Sequence, residues 1–167
     1  MTKIKGVLAR PLPSIVFLAV FLFGAAIRLY GLRDQLFWGD EAWNIRMAHE
    51  ISWEIPQLFS RDSHPPLFHF LLDCLINTIG VDSPVNLRLL SVVPGLFLLA
   101  LGIVWGSNLF GHWLGGLAFG WLIATSPLLI EQSQEVRNYS LFLLFSGLVF
   151  YSLTKQEFKK SHLYTAS

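Results

Sequence analysis

Asp40 and Glu41 stand side by side in WGDEAW, flanked by Trp38 and Trp43. A carboxylate pair held between indoles can supply a general base or hold a divalent cation. The same pair opens a helical pattern, where Asp caps free backbone N–H groups and Glu offsets the helix dipole. Capping and catalysis are compatible. A second group is SHPPLFHF, which begins at Ser63. Its prolines suit the first turn of a helix, where a missing N–H costs nothing. His64 can face the same pocket as Asp40. His64 and His69 do not have the four-residue spacing of a helical zinc pair, which argues against a zinc site. A third group is SPLLIEQSQEVRNYSL, with Glu131, Glu135 and Arg137 between two apolar stretches. Charges so close to hydrocarbon face protein, water or headgroups. Glu135 and Arg137 can neutralise each other, or Arg137 can grip phosphate oxygens with its two-pronged guanidinium.

The elements that position these groups are read from where charge is missing. No Asp, Glu, Lys or Arg occurs over 89–130, a run of the right length for two membrane spans. Asn108, Gly111 and His112 interrupt it and mark a turn. Residues 11–27 and 138–154 are further uncharged stretches. The expected fold is all-α, a polytopic bundle of about four spans at 12–30, 88–110, 113–131 and 138–154. The apolar start at 12–30 is longer than a signal-peptide core and lacks a convincing cleavage site, so it reads as a retained span. Arg28, near its external end, is expected to snorkel outward. Lys3, Lys5 and Arg10 put residues 1–11 in the cytoplasm by the positive-inside rule. Four spans then return the basic tail 155–167 to the same side, as its lysines require.

This topology makes 31–87 one long external loop and 132–137 a short one. Trp43, Met47, Ile51 and Ile55 recur every four residues, which predicts an interfacial helix near 40–55. Over 65–80, Phe68, Leu71, Leu72, Leu75 and Ile79 line one side, and His69, Asp73 and Asn77 another. That pattern predicts a second helix lying flat at the interface. All three chemical groups therefore fall on the external face.

Composition narrows the classes. The 167 residues are 53% hydrophobic and 14% charged, against about 25% charged in an ordinary soluble domain. A net charge of +1 gives no reason to expect nucleic acid. The single cysteine, Cys74, excludes an internal disulfide and any CxxC site. Small-xxx-small pairs at Gly102/Gly106, Gly111/Gly115 and Gly116/Gly120 permit close helix approach. A multi-pass protein of the plasma (inner) membrane with a cytoplasmic N-terminus fits these features. A transporter does not, because the charges cluster at one face and not at mid-membrane.

In order along the chain, RLYGL, WGDEAW, HPPLFHFLL, LRLLSVVPGLFLL and SPLLIEQSQEVRNYSL make the sequence resemble the GT-C superfamily of membrane glycosyltransferases. The likeness is to the branch of dolichyl-phosphate-mannose protein mannosyltransferases and bacterial lipid A sugar transferases, over about 25–150. The resemblance implies a polyprenyl-phosphate sugar donor and inverting transfer to an external protein, lipid or glycan. It implies Asp40 as catalytic base or acceptor-positioning carboxylate with Glu41 beside it, and Glu135, Arg137 and Tyr139 in the second loop of the site. Arg137, then Arg61, would stabilise charge on the departing phosphate, with His64 facing the same pocket. No cofactor is required, although a divalent metal on Asp40 or Glu135 is compatible with the chemistry. Members of this superfamily have about twice as many spans, so the chain is expected to be an N-terminal portion whose partner is the remaining C-terminal part. The alternative is a non-catalytic membrane module that binds polyprenyl phosphate, or a decayed fragment.

Overall fold

The computed structural model of the protein describes residues 11–34, 36–50, 66–80 and 83–165. Every regular element among them is a helix: α1 Pro11–Leu29, α2 Gly39–Glu50, α3 Leu67–Ile79, α4 Pro84–Phe110, α5 Trp113–Thr125, α6 Pro127–Gln134 and α7 Tyr139–Thr165. Two helices are long and apolar enough to cross a membrane, Leu12–Leu29 and Pro84–Phe110. A third crossing is available if α5 and α6, which meet at a bend of 57°, act as one broken span. The apolar part of α7, Tyr139–Lys155, falls just short of the same length.

Local chemistry explains the breaks. Gly111 takes the left-handed conformation (φ 64°) that ends α4, and the His112 imidazole then accepts the Leu114 N–H at 3.2 Å to start α5. The resulting antiparallel hairpin is packed to backbone contact. A Cβ on Gly106 would strike the Gly115 carbonyl, and one on Gly115 would strike the Gly106 carbonyl. Ser126 both closes α5 and opens α6, and Pro127 follows at the first helical position. Residues 113–131, expected as one span, are therefore divided between two helices at an angle.

That break leaves carbonyls without helical donors, because Pro127 has no N–H to offer Ile123. Arg28 fills the gap. Its Nη2 donates to the Ile123 carbonyl at 2.8 Å and its Nη1 to the Ala124 carbonyl at 3.4 Å. Nη1 also donates to its own Gly24 carbonyl at 3.1 Å, and Nε to Ser133 Oγ at 3.3 Å. The expected outward snorkelling of Arg28 is thus corrected: the side chain is fully buried and ties α1 to the α5–α6 bend. Gly95 of α4 makes room for this knot, since a Cβ there would strike Ser133. One turn further, Gln134 Nε2 donates to the carbonyls of Ile27 and Tyr30 at 3.0 and 2.9 Å, capping the end of α1.

Among the described residues there are two buried cores. Val20, Leu99 and Ala124 join α1, α4 and α5 inside the bundle. Ala48, Phe68, Leu72, Ile76, Leu87 and Val136 form a second core, where α2 and α3 cover the start of α4 and the turn before α7. Large apolar side chains such as Leu18, Phe97, Leu122 and Phe142 remain exposed around the bundle, the inverse of a water-soluble surface. α7 continues past its apolar part, which ends at Lys155, to Thr165.

Candidate functional site

Asp40 and Glu41 lie in the first turn of α2, and adjacent helical residues point in different directions. Glu41 turns inward and is fully buried. Its Oε2 accepts the Trp38 N–H at 3.4 Å, the reach-back bond of a capping box. Capping, expected of Asp40, therefore falls to Glu41. The larger partner is Arg88 of α4, which donates Nε to Oε1 at 2.9 Å and Nη2 to Oε2 at 2.8 Å. The buried guanidinium also donates to the Leu32 carbonyl at 2.7 Å and lies 5.3 Å from the centre of the Phe37 ring. Glu41 Oε1 further accepts the Val136 N–H at 2.9 Å. One buried ion pair thus fastens α2, α4, the chain after α1 and the turn that carries Arg137.

Arg137 is fixed from both ends. Its carbonyl accepts from Ser91 Oγ at 2.9 Å, which holds the backbone to α4. The guanidinium lies between the rings of Trp38 and Tyr139, 5.5 and 4.6 Å from their centres. Nη2 donates to Tyr139 Oη at 3.1 Å and pairs with Asp40 Oδ2 at 3.1 Å. Glu135 Oε2 lies 3.7 Å from Nη1, beyond hydrogen-bond reach. Burial pushes the Glu135 carboxyl above its ordinary range. Arg137 opposes that shift, and the nearby Glu131 and Glu41 reinforce it.

Asp40, Trp43, Asn44, Phe68, His69, Arg137 and Asn138 line a cavity of about 150 Å³. Asp40 is about half exposed at its mouth, while His69 is buried in its wall. Asp40 belongs to the first turn of α2, Phe68 and His69 to the first turn of α3, and Asn138 immediately precedes α7. Residues at the starts of three helices thus line a cavity in which the Arg137 guanidinium already pairs with the Asp40 carboxylate, and helix starts favour negative charge. Among the described residues no cluster of three or more His, Cys, Asp or Glu could hold a metal ion. Asp40 and Glu135, the carboxylates that could have carried a metal, flank the Arg137 cation instead. That donor set does not fit a divalent metal.

Asp40, Glu135, Arg137 and Tyr139 are therefore brought together, and Glu41 sits directly behind them in its own ion pair. Arg61 and His64 lie outside the described residues. Sequence reasoning missed Arg88, whose signal was its place as the last charge before the long uncharged run. It also passed over His69, Trp43, Asn44 and Asn138 as site residues. Asn44 lies four residues from Asp40 and so on the same helical face. The chain matches no protein-family model, no curated protein and no solved structure.

Proposed function

We propose that this chain carries the donor site of a membrane glycosyltransferase that moves a sugar from a polyprenyl phosphate to an acceptor outside the plasma membrane, with inversion. The observation that carries the reading is the 3.1 Å pairing of Asp40 with Arg137 at a small polar cavity beside apolar helices. A base for the acceptor and a cation for the phosphate are the two groups such a transfer needs. In this reading the bundle crosses the membrane four times, with α7 as the last span, while α2 and α3 lie at the external interface. The basic N-terminal residues are cytoplasmic, so the C-terminal end of α1, and with it the cavity, faces out.

The chemistry balances without a metal. The acceptor oxygen attacks the anomeric carbon from the side opposite the phosphate, and its proton passes to a carboxylate oxygen of Asp40. The bond between the anomeric carbon and the phosphate oxygen breaks, and its electron pair leaves with the phosphate. Arg137 takes up the charge that develops there. Glu41 touches none of these atoms: with Arg88 it sets the spacing between Asp40 and the Val136–Arg137 turn.

The test is transfer from radiolabelled polyprenyl-phosphate sugars in membranes holding the full chain and an acceptor extract. Asp40→Asn is expected to lower transfer by about 10²–10⁴-fold at unchanged abundance. Arg137→Ala is expected to cost about 10²–10³-fold. Full activity in Asp40→Asn would remove the assignment. Lipid binding that depends on Arg137, with no transfer under any condition, would make the chain a polyprenyl-phosphate-binding module instead.

A further inference from the structure

Several groups in the cavity wall take no part in that mechanism. Trp43 and Asn44 follow Asp40 by one helical turn on α2 and share its face. Trp43 is about half exposed and lines the cavity. Asn44 Nδ2 donates to the Val136 carbonyl at 2.9 Å, which fixes its amide against the Arg137 turn. Asn138, immediately before α7, also lines the cavity. At about 150 Å³ the cavity is smaller than drug-sized ligand pockets of about 300–1,000 Å³, which suits one small ring better than a lipid chain. An indole face suits the C–H face of such a ring. Planar amides at its edge can donate to and accept from neighbouring hydroxyl groups at once.

We infer that Trp43 is the platform on which the donor's sugar ring rests, with Asn44 and Asn138 reading its hydroxyl groups. The inference rests on the reading that Arg137 holds the donor phosphate, and it adds the residues that recognise the sugar itself. The competing role for Trp43 is an anchor at headgroup depth, where exposed tryptophans gather. The two roles differ in one respect. An anchor holds every lipid equally, whereas a platform favours the lipid that carries a sugar.

The experiment measures binding of a long-chain polyprenyl phosphate, with and without a single mannose or glucose, to the full chain in nanodiscs of neutral phospholipid. The wild type is expected to prefer at least one glycosylated lipid by about tenfold. Trp43→Ala should bring that preference close to one while leaving the sugar-free lipid bound as before. Trp43→Phe should retain most of the preference, and Trp43→Leu, apolar but without a ring, should lose it. The Phe and Leu variants decide the matter if the Ala variant fails to fold. Equal weakening of both lipids in the Ala and Leu variants, or an undiminished preference in Trp43→Leu, would overturn the platform. If neither lipid binds the wild type, or if Arg137→Ala leaves both bound, the phosphate reading fails and the sugar subsite falls with it. A sugar-free lipid that needs Arg137, beside a preference indifferent to Trp43, sinks the subsite alone.

Discussion

Buried charge at the site is tolerated because every charged oxygen and nitrogen of the central pair is engaged. Glu41 and Arg88 are almost completely inaccessible and meet through two parallel hydrogen bonds. Removing one partner strands the other, which costs about 3–5 kcal/mol. Glu41→Gln or Arg88→Met alone is therefore expected to lower the unfolding temperature sharply in detergent. The double variant should be less damaged than the sum of the two, and an additive double variant would show that the pair does not act as a unit. Glu135 behaves differently. Its carboxyl is held above its ordinary range by burial, so the folded state binds that proton more tightly than the unfolded state. The sign follows: the contribution to stability is complete below the ordinary carboxylate value and is lost as pH rises through the raised one. Glu135→Gln should flatten this fall in a pH series of thermal unfolding, and an unchanged slope would assign the dependence to another group. Asp40 and Arg137 were legible as chemistry because charge beside long apolar runs is conspicuous. The division of labour within the acid pair was not, because it depends on which residue faces Arg88, a partner on a different helix.

Helix breaks, not helix lengths, set the shape of the bundle. The turn at Gly111 and His112 was legible because Gly and polar residues interrupt a long apolar run. The bend at Ser126 was hidden, since Ser-Pro inside an apolar stretch also suits a continuous span whose neighbours satisfy the freed backbone. What decides between the two is Arg28, more than ninety residues away along the chain, which donates to the carbonyls that the bend leaves open. For the same reason its snorkelling was the wrong expectation: an Arg near a helix end goes to water unless the fold offers it carbonyls. Arg28→Met is expected to destabilise the bundle by about 1–3 kcal/mol for each carbonyl left bare. Pro127→Ala supplies an N–H for the Ile123 carbonyl and should recover part of that loss when combined with Arg28→Met. Denaturation of the two single variants and the double variant measures the coupling. No recovery would mean that the carbonyls are not what Arg28 serves.

At the scale of the whole molecule, the contacts sort the chain into two ends. Gln134 meets the end of α1, Ser91 near the start of α4 meets Arg137, and Glu41 meets Val136, so the carboxylates and Arg137 gather at one end. At the other, Asn108 Nδ2 donates to Tyr151 Oη at 3.0 Å, and Lys155 lies 6.0 Å from the Tyr151 ring centre. Arg88 at one end and Asn108 at the other lie 20 residues apart on α4, about 30 Å at ~1.5 Å per residue. That matches a hydrocarbon core of about 30 Å, so a membrane fits between them. Under the proposed orientation, with a cytoplasmic N-terminus, single cysteines at Leu36 and Asp40 in a Cys74→Ala background should react with an impermeant maleimide in intact cells. Asn108→Cys should react only after the membrane is opened. Leu36 is the cleaner reporter, because its side chain is almost wholly exposed and makes no part of the site. Protection of Leu36→Cys with labelling of Asn108→Cys would turn the protein over and put the proposed donor site on the cytoplasmic side. Labelling of both from outside would mean that the Gly111 turn and the Asp40 cavity share one face, which no bundle with α4 as a span can accommodate.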